Sequence, residues 1–127
     1  MKTHSFLLVL TLCSSLVAAQ ELTKAKFKRA VTDWDNEGKG YINVVFPSSK
    51  DSTIRAAEHS NAIDYWIVSA ESRTTRFHPD RVRANIATDR ANGTYTPFAM
   101  LYSSRLEDGK HYSVEWGEIS SNELLYD

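Results

Sequence analysis

Apolar side chains in the first patterned part of the chain recur with the period of a helix. They fall at positions i, i+3, i+4 and i+7, and they are Phe27, Ala30, Val31 and Trp34. A threonine at 23 is placed to cap the start of such a helix, and a glycine at 38 follows its end. The pattern predicts an amphipathic helix over residues 23–36.

Beyond residue 40 the apolar period changes from that of a helix to that of a strand. Ile42, Val44 and Phe46 alternate with other residues, which predicts a strand that stops at a proline. A short helix capped by Asp51 or Ser52 is predicted to run to about residue 59. Residues 62–70 are apolar on both faces, which is typical of a central strand, and residues 81–86 alternate as in a strand with one exposed face.

Two turn signals predict hairpins in the second half of the chain. Asn92-Gly93 precedes a strand over residues 94–102, and Asp108-Gly109 precedes a strand over residues 112–116. Pro97 cannot donate a backbone hydrogen bond, so its strand is predicted to carry a bulge or to lie at a sheet edge. Residues 117–127 are predicted to form a loose tail.

Together these elements predict an α+β fold. A single domain over residues 20–127 would consist of an antiparallel sheet of about four to five strands packed on a helix. No internal repeat or low-complexity tract divides the sequence.

The first 19 residues have the pattern of a secretory signal peptide. Lys2 precedes an apolar run over residues 6–12, and small residues end at Ala19, after which cleavage is predicted. A membrane anchor is the alternative, but it would need roughly 20 continuous apolar residues, and two serines interrupt this run. We therefore expect a secreted protein without a membrane segment after cleavage.

Composition and charge exclude several classes of chemistry. The 127 residues include 15 basic and 16 acidic side chains, so no global positive charge marks the chain as a nucleic-acid binder. The only cysteine, Cys13, lies in the predicted signal, which excludes thiol catalysis and disulfides in the mature chain. His59, His78 and His111 have no metal-ligand spacing, so neither a metal nor a cofactor is predicted.

One local cluster of cationic side chains stands out from this neutral background. Its members are Arg73, Arg76, His78, Arg81, Arg83 and Arg90. Because residues two apart in a strand share a face, two strands could present these side chains as a cationic plate that contacts phosphates, with Phe77 and Tyr65 stacking on bases. The alternative is a solvated face on which Glu71, Asp80 and Asp89 neutralise the arginines.

Asn92-Gly93-Thr94 is a possible glycosylation sequon. The alternative is that Asn92 and Gly93 serve only the hairpin turn.

The order of these segments resembles the microbial guanyl-specific ribonuclease fold. The segments are Tyr41-Ile42-Asn43, then the stretch from Asp51 to Ala57, and finally Tyr112-Ser113-Val114-Glu115-Trp116. The chain is more closely similar to the ribonuclease-like effectors and avirulence proteins that cereal powdery mildew fungi secrete. Those proteins commonly carry a Tyr-x-Cys motif early in the mature chain, and Asn43 stands here in place of the cysteine. The resemblance covers about residues 40–117.

The resemblance also implies what an active enzyme would need: a glutamate base aided by histidine, a histidine acid, and arginine and tyrosine on the phosphate. Arg76 stands about where the glutamate strand would be, and residues 98–101 contain no arginine. His111 and Glu115 share a strand face but lie about 13 Å apart along it. The prediction is a protein without ribonuclease activity. The alternative is an active ribonuclease or other small hydrolase that uses His78 or His111 with Glu115.

The function that the resemblance implies is that of a secreted fungal virulence effector. It would bind a host protein or RNA as a monomer after delivery into the plant cell, where an intracellular immune receptor could recognise it. An unrelated secreted binding module is a further alternative.

Overall fold

The computed structural model describes residues 29–72 and 74–127, and this part of the chain is built from strands. The strands are β1 (Arg29–Trp34), β2 (Gly40–Val45), β3 (Tyr65–Ser69), β4 (Arg76–Phe77), β5 (Arg81–Asp89), β6 (Thr94–Tyr102), β7 (Lys110–Trp116), β8 (Ile119–Ser120) and β9 (Leu124–Tyr126). Two 3-10 turns, Ala56–His59 and Ala62–Asp64, are the helical elements described.

The strands form two antiparallel sheets. Sheet I has the order β1-β2-β6-β5. Sheet II has the order β4-β3-β7, and both β8 and β9 pair with β7. The inner faces of the two sheets pack against each other. Ile42, Val44 and Leu101 of sheet I and Ile67 and Val114 of sheet II are all 0% exposed and share one hydrophobic core.

The α+β prediction, with a helix packed on the sheet, is wrong for the part of the chain that the structure describes. Residues 29–34 of the predicted helix form β1, which pairs with β2 from Arg29 opposite Val45 to Trp34 opposite Gly40. Residues 35 and 36 of that predicted helix belong to the loop after β1, and residues 23–28 lie outside the described residues. Ala30 is buried on the inner face while Val31 is 37% exposed on the outer face, so the apolar residues serve two faces of a strand.

The other predicted helix is reduced to a single turn. Asp51 accepts hydrogen bonds from the backbone N–H and the hydroxyl of Thr53, but the helical turn begins only at Ala56. The segment over residues 62–70 begins with the second 3-10 turn and becomes β3, which lies between β4 and β7 and is therefore central, as predicted.

The strands on either side of the two turns are confirmed, but only the turn at Asn92-Gly93 makes a hairpin, in which β5 pairs with β6. The hairpin predicted at Asp108-Gly109 is wrong, because β6 and β7 lie in different sheets and that turn connects the sheets. β6 covers the predicted residues 94–102, and β7 includes residues 112–116. The turns contain Gly93 at φ 63 and Gly109 at φ 83, conformations that favour glycine.

The predicted bulge or edge position at Pro97 is wrong. β6 is an inner strand, and its register with β5 runs without interruption. The proline is tolerated because the pairing with β2 ends at Val45 opposite Phe98, and the Pro97 carbonyl accepts one last bond from Phe46 N–H at 3.0 Å.

The C-terminal segment is folded rather than a loose tail. Its strands β8 and β9 both pair with β7, and Leu124 is 6% exposed in the core. The predicted signal peptide lies outside the described residues. Within the described ranges, no helix is long and apolar enough to cross a membrane.

Candidate nucleic-acid interface

The structure divides the predicted cationic plate between two sheets. Arg76 lies in β4 of sheet II, whereas Arg81 and Arg83 lie in β5 of sheet I, and Arg90 follows β5 in the turn. Arg73 lies outside the described residues. Because the inner faces of the sheets form the core, side chains on the two outer faces point in opposite directions, and the arginines do not form one surface.

Arg81 and Arg83 share the outer face of sheet I with side chains of β6. Arg81 is paired with Tyr102 and Arg83 with Met100, while Phe98 is opposite Asn85. We call the set Arg81, Arg83, Phe98, Met100 and Tyr102 the arginine face. Its two arginines are exposed, Phe98 and Met100 are half-buried, and Tyr102 is 2% exposed.

Tyr102 holds one guanidinium of the arginine face in place. The Arg81 guanidinium lies 4.5 Å from the centre of the tyrosine ring, a cation–π contact. The hydroxyl of Tyr102 donates to Asp35 at 3.2 Å. Burial, together with Asp35, raises the pKa of Tyr102, and the charges of Arg83 and Arg81 oppose that rise.

The acidic residues that could have neutralised the arginines have other partners. Asp80 accepts hydrogen bonds from Ser104, Glu71 pairs with Lys110 at 2.9 Å, and Asp89 accepts from the amide of Asn92. The bond from Asn92 is the main reason that the pKa of Asp89 is lowered. Among the described contacts, no carboxylate therefore forms an ion pair with Arg81 or Arg83.

The outer face of sheet II carries a second, separate cluster around Trp66. The ring of His78 stacks on Trp66 with centroids 3.7 Å apart, and the Arg76 guanidinium lies 4.3 Å from the Trp66 ring centre. Arg76 also pairs with Glu115 at 3.3 Å. His78 Nδ1 donates to the carbonyl oxygen of Tyr65 at 2.7 Å, which fixes the orientation of the imidazole.

Two of the groups named for a hydrolase, His78 and Glu115, have other partners. Within residues 29–72 and 74–127, no hydrogen bond joins His78 or His111 to Glu115, whose carboxylate instead meets Arg76. His111 is exposed four residues from Glu115 on the same strand face. A general base and acid must both reach the reacting atoms. Here the Glu115 carboxylate pairs with Arg76, and the His78 ring lies against Trp66.

Two aromatic residues expected to stack on bases are buried instead. Tyr65 is 0% exposed, and burial raises the pKa of its hydroxyl. Phe77 is 6% exposed, and the guanidinium of Arg105 lies 4.7 Å from its ring centre.

Three outer-face residues, Phe98, Met100 and Trp66, were not among the predicted site residues. They alternate with buried neighbours in β6 and β3, and this alternation was the signal that could have placed them on the outer faces.

Two polar clefts lie on sheet II. One, of about 290 Å³, is lined by Glu115, Glu123 and serine hydroxyls. The other, of about 440 Å³, is lined by charges of both signs, among them Lys110 and Glu71. No group of three or more potential metal ligands occurs in the described part of the chain.

Asn92 is exposed at its turn, where its side chain donates to Asp89 at 2.8 Å. Glycosylation at this site stays a prediction.

Comparison with known proteins identifies no family for this chain. No family model, no curated protein and no solved structure matches it.

Proposed function

We propose that this protein is a secreted, non-catalytic binding protein, and that it holds single-stranded RNA on the arginine face. The observation that carries the proposal is that two exposed guanidinium groups, those of Arg81 and Arg83, share one open sheet surface with half-buried Phe98 and Met100. A single-stranded nucleic acid is bound by cationic side chains that contact its phosphates and by aromatic or apolar side chains that contact its bases, and both kinds lie side by side here.

The arrangement of Arg81 favours phosphate binding. Its guanidinium plane is held against the Tyr102 ring, so less side-chain freedom is lost when a phosphate binds. Arg83 lies two residues away on the same strand face, at a spacing of about 6–7 Å, which is close to the separation of successive phosphates in an extended strand. Phe98 lies on the neighbouring strand, where a base can contact its ring.

The opposite surface of the sandwich is less suited to RNA. Glu115 already pairs with Arg76, and the nearby cleft adds the carboxylate of Glu123. The phosphates of RNA and these carboxylates are all negatively charged, so they repel each other. Among the described surfaces, the outer face of sheet I is therefore the one we assign to RNA.

The non-catalytic part of the proposal is supported by the partners of the candidate groups, because Glu115 pairs with Arg76 and the His78 ring stacks on Trp66. The secretory pattern of residues 1–19 supports export. Action as a fungal virulence effector in a plant cell, with recognition by an immune receptor, extends the proposal through the family resemblance.

The experiment is a binding titration of the purified protein with a fluorescent single-stranded RNA at two salt concentrations, with the RNA recovered afterwards. We expect salt-sensitive binding and intact RNA. Arg83→Gln should weaken binding several-fold and lower the salt slope by roughly 0.7, the share of one phosphate contact in a single strand. Arg76→Gln removes the same charge from the opposite surface and should leave affinity unchanged.

Three results would overturn the proposal. RNA cleavage would favour the hydrolase alternative, and loss of cleavage in His78→Ala or His111→Ala would identify its residues. Equal weakening by Arg76→Gln and Arg83→Gln would show that no particular face binds. Absence of binding at low salt would leave a protein as the partner.

A further inference from the structure

The two edge strands of sheet I, β1 and β5, differ in whether their outward backbone groups have hydrogen-bond partners. At the β1 edge, the side chain of Asn122 bonds both the N–H and the carbonyl of Ala30, at 2.9 Å each, and Thr32 donates its hydroxyl to the Leu125 carbonyl. The β1 edge is thus closed by the C-terminal segment. Among residues 29–72 and 74–127, no strand lies beyond β5 at the other edge.

The backbone groups that face this open edge follow from the contacts of β6. Tyr95 exchanges hydrogen bonds with Ser49, and Pro97 accepts from Phe46, so both direct their backbone groups away from β5. Their partners across the pair, Thr88 and Ile86, must direct theirs outward, because antiparallel pairs alternate between bonded and non-bonded. By the same alternation, the backbone N–H and C=O groups of Val82 and Ala84 also point to the open edge.

This edge is long, and the described residues give it little protection. β5 has nine residues, about 30 Å of strand. One outward N–H is covered locally, because Asn85 accepts from Ile86 N–H at 2.8 Å. The turn Ala56–His59 contacts β5 and β6, and its buried His59 stacks on the core residue Phe46, so this turn packs on the inner face of sheet I. Open strand edges of this kind pair with other strands.

We propose that the occupant of this edge is a second copy of the chain, with the two β5 strands paired antiparallel about a two-fold axis at Asn85. In this register Val82 lies opposite the partner's Thr88, and Ala84 lies opposite the partner's Ile86. All four residues have outward backbone groups, so the pair of Val82 and the partner's Thr88 can exchange two hydrogen bonds. The pair of Ala84 and the partner's Ile86 can do the same when the Ile86 N–H exchanges the Asn85 side chain for the partner's carbonyl. The dimer would join both copies of sheet I into one continuous sheet, with the same patch on each subunit.

Charge favours this register over one centred on Arg83. It places Arg81 opposite the partner's Asp89 at both ends of the paired strands, and opposite charges across a strand pair are stabilising. Asp89 already accepts bonds from Asn92, but a carboxylate has further lone pairs for a guanidinium. A register centred on Arg83 would instead place that arginine opposite the partner's Arg83, which is destabilising. The dimer departs from the monomer that the sequence predicts. Its test needs no RNA, and in the dimer the partner's Asp89 would compete with a phosphate for Arg81.

The test combines the molar mass of the purified protein, from light scattering over a concentration series, with amide hydrogen exchange. We expect a concentration-dependent dimer in which the amides of Val82, Ala84 and Thr88 gain protection. Ala84→Pro removes an N–H that the monomer does not use and places the ring at the open edge, so this variant should stay monomeric with an unchanged circular dichroism spectrum. Ala84→Ser keeps the N–H and serves as the matched control, which should dimerise.

Other outcomes would overturn the proposal. A monomer at every soluble concentration would do so, as would a dimer in which the β5 amides stay unprotected. A monomer in which these amides are protected at all concentrations would show that another part of the same chain covers the edge. Because the exchange is measured on the unmodified protein, the test holds even if Ala84→Pro fails to fold.

Discussion

The side-chain amide of Asn122 serves Ala30 as a strand partner would. Its Oδ1 accepts the backbone N–H of Ala30, and its Nδ2 donates to the carbonyl of the same residue, both at 2.9 Å. Ala30 is 0% exposed, so water cannot replace these bonds. One side chain 92 positions away in sequence therefore connects the first described strand to the C-terminal segment.

Asn122→Ala should be clearly destabilising because it leaves two buried backbone groups without partners. We expect the free energy of unfolding to fall by about 1–3 kcal/mol, measured by chemical denaturation. Asn122→Asp should be at least as damaging, since a carboxylate can accept the N–H but cannot donate to the carbonyl.

Asn36→Ala is the matched control for this prediction. Asn36 is exposed in the turn after β1, and the described contacts give its side chain no hydrogen bond. Its loss should change stability by less than about 0.5 kcal/mol. Similar effects of the two alanine variants would contradict the role assigned to Asn122.

The strands that the sequence predicted correctly are those with a local signal. β6 and β7 follow Asn-Gly and Asp-Gly turns and alternate over several residues, so their neighbours in sequence determine them. The face shared by Arg81 and Arg83 was likewise predictable from strand period alone.

The features that the sequence could not predict depend on contacts between distant segments. The six residues of β1 fit a helical period as well as a strand, and pairing with β2 decides between them. β9 has three residues, too few for any pattern, and exists because β7 pairs with it. The division of the arginines between two sheets depends on topology: Arg76 and Arg81 are five positions apart but belong to different sheets.

Acid should destabilise the protein through three carboxylates that hold turns together. Hydrogen bonds lower the pKa of Asp35 (mainly from Lys39 N–H), of Asp51 (from Thr53) and of Asp89 (from Asn92) below the ordinary value of 3.8. A folded-state pKa below the unfolded value contributes stability that is present above 3.8 and is lost as pH falls through the lowered value.

Denaturant midpoints measured from neutral pH downward should therefore fall in the acid range below about pH 4. Asp35→Asn should flatten that fall, because it removes one of the three titrating groups while its amide oxygen can still accept the turn N–H bonds. An acid dependence that is unchanged by this substitution would show that Asp35 is not one of the groups responsible.

The ion pair between Arg76 and Glu115 should contribute little stability. The two side chains are 48% and 32% exposed, so solvent screens their attraction. We expect a double-mutant cycle of Arg76→Ala and Glu115→Ala to give a coupling energy below about 1 kcal/mol that decreases with added salt. A coupling of several kcal/mol, insensitive to salt, would indicate a desolvated site on this surface rather than a solvated one.

The packing of β9 against the start of β2 can be tested at Gly40. A Cβ added there would lie 2.7 Å from Tyr126 Oη and 3.2 Å from Tyr126 Cζ, so the ring must move. Gly40→Ala should destabilise the protein by about 1–3 kcal/mol, the usual cost of overpacking. In a Tyr126→Phe background the oxygen is gone and the cost should be smaller, although the contact with Cζ remains.

Gly38 provides the control, because an alanine at this position should destabilise the protein for a different reason. A Cβ at Gly38 meets nothing within 4 Å, but the residue has φ +78, a conformation that costs an alanine about 1–2 kcal/mol. That cost is local to the backbone and should be the same with tyrosine or phenylalanine at 126. If Gly40→Ala also costs the same in both backgrounds, the hydroxyl of Tyr126 does not lie against Gly40, and β9 does not pack there as the structure has it.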